Sequence, residues 1–157
     1  MRKRIFVFAV ASCLFALAVM AQSPDKYLLG VWKVNVAKST YSPGPPPKSN
    51  MSTWDVVGGQ FRNVNEAVET NGQATKTEII VKFDGTDIPL KGAAEPTTRA
   101  YKRIDDRTFE FVTKVNGKVT TTFRSVLSSD GRTRTATTTG TNAQGQAVKN
   151  VVLWEKQ

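Results

Sequence analysis

From residue 29 to the end, short runs of β-branched and aromatic residues alternate with polar ones along the chain. Thr77, Ile79, Val81 and Phe83 fall on one side of an extended segment, opposite Lys76, Glu78 and Lys82, with Ile80 as the exception. Phe109, Phe111, Thr113 and Val115 stand in the same way against Thr108, Glu110 and Lys114, with Val112 intruding. A period of two with one apolar face describes strands of a sheet solvated on one side. This part of the chain carries no convincing amphipathic helical repeat.

Turn pairs punctuate the runs: Gly58-Gly59, Asn71-Gly72, Asp84-Gly85, Asn116-Gly117 and Asp130-Gly131. Such pairs suit type I′ hairpins, whose two central residues both need positive φ. The pattern predicts strands over 29–36, 51–57, 60–69, 73–83, 86–90, 98–104, 107–115, 118–127, 132–140 and 147–156. Consecutive hairpins make a meander, and a meander this long tends to close on itself to remove its edges. The expected fold is therefore all-β, a single up-and-down antiparallel barrel of about 8–10 strands, with a two-sheet sandwich as the competitor.

One stretch breaks the rhythm. Four of the residues in Ser42-Pro43-Gly44-Pro45-Pro46-Pro47-Lys48-Ser49-Asn50 are prolines and cannot donate to a ladder. It reads as a stiff surface connection between the first two strands, or alternatively as a polyproline II docking segment or a lid. Asn50-Met51-Ser52 also fits a glycosylation acceptor, relevant only in a eukaryote.

The first residues follow a different plan. Met1-Arg2-Lys3-Arg4 precedes an apolar run from Ile5 to Val19, and Val19-Met20-Ala21 offers a peptidase small or compact residues. This is the three-part layout of a secretory signal peptide over 1–21, ahead of a domain over 22–157. The run is shorter than the ~20 residues of a spanning helix. An uncleaved anchor, or acylation at Cys13, are the competing readings. The expected compartment is periplasmic or secreted, in a bacterium.

Composition now narrows the chemistry. The 157 residues carry 22 Lys+Arg, 13 Asp+Glu, one Cys and no His, for a formal charge of +9. Without histidine there is no Ser-His-Asp or Cys-His relay and no imidazole metal ligand. Loss of 21 residues, with Arg2, Lys3, Arg4 and Cys13 among them, would leave 136 residues, a charge of +6 and no thiol. An exported protein without disulfides must rely on its core. Export also turns a basic chain away from nucleic acid and toward anionic head groups or acidic envelope polymers.

Two segments resemble a known superfamily. Leu28-Leu29-Gly30-Val31-Trp32-Lys33-Val34 looks like the first-strand motif of the calycins, the lipocalins and fatty-acid-binding proteins. Val151-Val152-Leu153-Trp154-Glu155-Lys156 is similar to the last strand of fatty-acid-binding proteins. The chain also looks like small secreted lipocalin-like proteins of environmental bacteria. The resemblance implies that Trp32 plugs the closed end of a barrel and that Gly30 lets the strand bend. Fatty-acid-binding proteins carry a helical lid where this chain has its prolines, and an arginine where this chain has Val152, so their carboxylate anchor does not carry over.

The candidate ligand-binding residues are Arg124, Arg103, Tyr101, Phe111 and Trp154. An arginine facing the interior of a barrel would need an anion or carboxylate partner. The competing reading turns Arg124 and Arg103 outward, with Phe123 filling the interior. Arg132 and Arg134 read as solvated residues that discourage edge pairing. Asp105-Asp106, between Arg103 and Arg107, reads as a turn and not as an acid–base pair. Inward threonines among Thr120, Thr121, Thr122, Thr135, Thr137, Thr138 and Thr139 would leave room for a ligand.

The expectation is a non-catalytic, monomeric barrel that holds a small lipophilic molecule, with no cofactor, metal or nucleic acid. The alternative is a solid barrel whose basic exterior binds an envelope surface or a protein.

Overall fold

The structure is a computed structural model and describes residues 28–157. The export signal expected at 1–21 lies outside the described residues. Ten strands follow in order: β1 (Gly30–Thr40), β2 (Ser49–Val57), β3 (Gln60–Val68), β4 (Ala74–Val81), β5 (Asp84–Pro89), β6 (Thr97–Arg103), β7 (Thr108–Val115), β8 (Lys118–Leu127), β9 (Thr133–Thr141) and β10 (Ala147–Lys156). They form one antiparallel sheet in the order β4-β3-β2-β1-β10-β9-β8-β7-β6-β5. The first and last strands meet, β1 beside β10, where Val34 pairs with Trp154. The result is a nearly closed up-and-down barrel, as the sequence pattern predicts.

Turn chemistry sets most of the registers. Gly58 and Gly59 (φ 58° and 77°) and Asn116 and Gly117 (φ 51° and 76°) occupy the positive-φ positions of two-residue hairpins. These join Val57 to Gln60 and Val115 to Lys118. Asp84-Gly85 departs from expectation. The pair does not close a hairpin, because β4 and β5 are the two edges of the sheet and are not laddered together. Asp84 instead pairs with Lys102 on β6, and its carboxylate accepts from Thr86 N at 2.9 Å.

Aromatic packing fills that seam where backbone hydrogen bonds do not. Phe83, in the link between the two edge strands, packs edge-on to Phe61, Tyr101 and Phe109 at 5.5, 6.2 and 5.9 Å between ring centres. It also stacks on Trp54 at 6.4 Å. Both edges are short, and β5 ends in Pro89, which offers no donor to a further strand.

β1 runs four residues beyond its predicted end and holds an irregularity. Asn35 pairs with Leu153, but the next partner of β10 is Thr40 with Val151, so β1 carries extra residues. The Ser39 hydroxyl donates to Asn35 O at 2.7 Å and accepts from Leu153 N at 3.0 Å, standing in for the interrupted ladder.

The inner face follows the strand alternation. Ile79 and Val81 point inward, as do Phe109 and Phe111, with the latter's cross-strand partners Tyr101 and Phe123. The outer face carries cross-strand ion pairs such as Arg62–Asp55, Lys76–Glu66 and Arg124–Glu110. Buried apolar residues concentrate at one end, around Leu28, Trp32, Trp54, Val81, Leu127 and Trp154. The other end is the open rim. There the proline-rich connection is pinned on two sides: Lys149 N donates to Ser42 O at 2.7 Å, and Thr70 Oγ1 to Pro46 O at 2.6 Å.

Candidate functional site

The closed end is built around Trp32, whose side chain is fully buried and whose Nε1 donates to Leu28 O at 2.8 Å. Gly30, two residues earlier, has φ +117°, and a Cβ there would stand 3.0 Å from Lys156 Cε. The Gly-x-Trp segment thus bends tightly enough to set the indole across the barrel floor. Arg134, from β9, lies between two indoles, its guanidinium carbon 4.5 Å from the centre of Trp154 and 5.1 Å from that of Trp32. Lys156 Nζ approaches the Trp32 ring at 5.4 Å.

Above this floor lies a cavity of about 270 Å³. One wall is aromatic, with Tyr101 and Arg99 on β6, Phe109 and Phe111 on β7, and Phe123 on β8. Phe111 and Phe123 stack with ring centres 4.4 Å apart. The opposite wall, on β2 and β3, is largely polar: Asn50, Ser52, Asn63 and Asn65 beside Trp54. Asn63 Nδ2 donates to Ser52 Oγ, and Asn65 Nδ2 to Asn50 Oδ1, both at 2.9 Å. Arg134, Ala136, Val152 and Trp154 complete the lower part; Tyr41, Thr113, Thr121, Thr138 and Asn150 form a collar toward the rim.

The electrostatics of the cavity are one-sided. Among the described residues two guanidinium groups line it, those of Arg99 and Arg134, and no carboxylate does. Four N–H donors on its lining residues, Trp54 Nε1, Trp154 Nε1, Arg99 Nε and Arg134 Nε, are buried without an acceptor among the described residues. Burial pushes Arg134 down to about 9, and the neighbouring Tyr101 partly offsets this, so the group is cationic at neutral pH. Burial pushes the Tyr101 phenol up, with Arg99 and Arg134 pulling in the opposite direction. The phenol is therefore a neutral donor at neutral pH. Tyr41 is also raised by burial, against a weaker lowering by Ser39.

The structure brings together three of the five expected ligand residues: Tyr101, Phe111 and Trp154 all line the cavity. Arg124 does not join them. It lies on the outer face, half-exposed and paired with Glu110, because its cross-strand neighbours place Phe123 and Ser125 inward. Arg103 points to the inner side but lies outside the cavity lining, its guanidinium carbon 4.6 Å from the Phe83 ring at the seam. Gly30 and Trp32 lie at the closed end of the barrel.

Arg134 overturns its expected solvated position: its residue is 3 % exposed. Its strand, Thr133–Thr141, has no apolar alternation that could phase it. The register with β10 does so, pairing Arg134 with Trp154. The sequence reading also passed over Trp54, Arg99 and the inward asparagines. Of the Thr-rich segments, only Thr121 and Thr138 reach the cavity. Asp105-Asp106 is a turn: the Asp105 carboxylate accepts from Arg107 N at 2.8 Å, which holds its pKa down. Among the described residues no cluster of three or more metal-ligating side chains is present.

No protein-family model and no curated protein matches the chain. Solved structures do share its fold. A protein of unknown function from the DUF3598 family of Nostoc punctiforme superposes with a TM-score of 0.51 at 14% identity, over 84% of this chain and 48% of that one. This chain thus spans about half the length of that neighbour, and the likeness is one of fold.

Proposed function

We propose that the protein is an exported, non-catalytic barrel of the lipocalin-like kind that holds a small lipophilic molecule in its interior. The observation that carries this reading is the cavity of about 270 Å³ between an aromatic and a polar wall, above a floor sealed by Trp32. Ligand-binding cavities usually occupy about 300–1,000 Å³, and this one falls just below that range, with a more polar lining than most. Burial of ligand surface would contribute about 25 cal/mol per Å² of apolar area, before the costs of immobilisation. The signal-like segment at 1–21 supports export, and the cavity favours this reading over a solid barrel that works through its basic exterior.

Native mass spectrometry of protein purified from its own host tests the reading. A co-purifying small molecule, released on denaturation and displaced by 8-anilino-1-naphthalenesulfonate, is the expected result. Absence of such a molecule, together with no change in tryptophan emission on adding that probe, would overturn it.

A further inference from the structure

We infer that the ligand is a compact planar acid, an aromatic body bearing a carboxylate or a like anionic group, whose charge is met by Arg134 and Arg99. This deepens the proposed function and rests on it. Three observations converge. The first is the charge balance. A buried cation is costly unless a counter-charge and hydrogen bonds compensate it. Arg134 is almost fully buried and its Nε has no acceptor among the described residues; the indoles of Trp32 and Trp154 face it. Ring faces stabilise a cation only in part, and they leave the in-plane N–H groups unused.

The second is that the unused groups are all of one kind. Trp54 Nε1, Trp154 Nε1, Arg99 Nε and Arg134 Nε are donors, and a tryptophan or arginine N–H cannot act as an acceptor. A ligand that complements them must therefore bring acceptors. A neutral alcohol or amide brings one acceptor oxygen and also a donor of its own. A carboxylate brings two acceptor oxygens, no donor, and the missing charge.

The third is the shape and chemistry of the walls. Phe111 and Phe123 are nearly parallel, with 12° between their planes, and Arg99 lies over the Phe111 ring at 4.8 Å. The facing wall presents amides from Asn63 and Asn65. Stacking and the guanidinium occupy the faces of Phe111, so this wall offers ring edges. Edges on one side and polar groups on the other suit a flat ring, whose faces take edge-on contacts, better than a flexible acyl chain.

Titration of the full-length purified protein with 2-naphthoate, 2-naphthalenemethanol and palmitate, followed by quenching of tryptophan emission, separates the outcomes. The acid should bind roughly tenfold or more tightly than the neutral alcohol of the same ring, the factor expected for one charge-assisted hydrogen bond. Palmitate should bind more weakly than naphthoate. In Arg99→Gln, at a half-buried position, the acid should lose roughly tenfold in affinity and the alcohol distinctly less, since only the acid carries the charge that the guanidinium meets. Equal affinity for acid and alcohol, or a preference for palmitate, would overturn the inference and leave the ligand-holding barrel standing. Failure of all three compounds to alter emission would overturn both.

Discussion

Arg134 and Trp154 are cross-strand partners, and the guanidinium carbon of the first lies over the indole of the second, 4.5 Å from the ring centre. A charge is thus buried among the core side chains of the barrel. Burial of an uncompensated ion costs several kcal/mol, so the position works against stability. Replacement by an apolar side chain of similar length should therefore separate stability from binding. Arg134→Met is expected to unfold at equal or higher urea concentration than the parent, by the equivalent of about 1 kcal/mol, with an unchanged m value. The same variant should bind 2-naphthoate more weakly. A loss of more than about 2 kcal/mol would show that the cation–π sandwich outweighs desolvation.

The same arginine predicts a pH dependence. Its folded pKa, about 9, lies below its unfolded value because burial disfavours the charged form. Below about pH 9 the group is charged in both states, and the penalty is constant. Above it the folded protein sheds the proton and the unfolded chain keeps it, so this group adds stability as pH rises. The advantage of Arg134→Met over the parent should thus shrink between about pH 8 and about pH 10.5, measured as the difference of urea midpoints. A constant difference across that window would count against a depressed pKa.

At the seam, Phe83 replaces a ladder with side-chain contacts. Phe83→Ala should cost about 3 kcal/mol, the lower end for a large aromatic, since its ring is only partly buried. Hydrogen exchange should accelerate most along β4 and β5, whose outer edges have no strand partner. Uniform acceleration over all ten strands would mean that the seam opens only with the whole barrel.

Two glycines allow a comparison of strain. Gly30 and Gly140 have φ +117° and +140°, so alanine is strained at either. At Gly30 the neighbour at 3.0 Å is the end of a flexible lysine, whereas at Gly140 a Cβ would lie 2.1 Å from the backbone oxygen of Thr120. Gly30→Ala should cost about 1–3 kcal/mol, and Gly140→Ala distinctly more, because the lysine can swing away and the backbone cannot. Equal thermal shifts for the two would contradict this ordering.

Arg124→Gln provides the control. The Arg124–Glu110 pair is partly exposed on the outer wall, so its loss should change stability by less than about 1 kcal/mol. Binding of 2-naphthoate should be unaltered. Weakened binding would place the ligand outside the barrel.

The contrast between Arg124 and Arg134 shows where the sequence stops being legible. The strand pattern and most of the tight turns can be read locally, since alternation and positive-φ residues are properties of a few neighbouring positions. Phe109, Phe111 and Thr113 announce their inward face by opposing charged residues. Arg134 sits among threonines, which suit either face, so nothing nearby fixes its phase. The seam is also invisible locally, because Asp84-Gly85 has the residues of a hairpin turn, yet β4 and β5 stand at opposite edges of the sheet order.

By itself, then, the chain determined an all-β meander and its ten segments, because these follow from local backbone preference and period. Only the tertiary structure decided that Arg134 and Arg99 face a cavity while Arg124 faces solvent. That choice rests on registers passed from strand to strand around the barrel, and a shift of one residue in any of them would have reversed it.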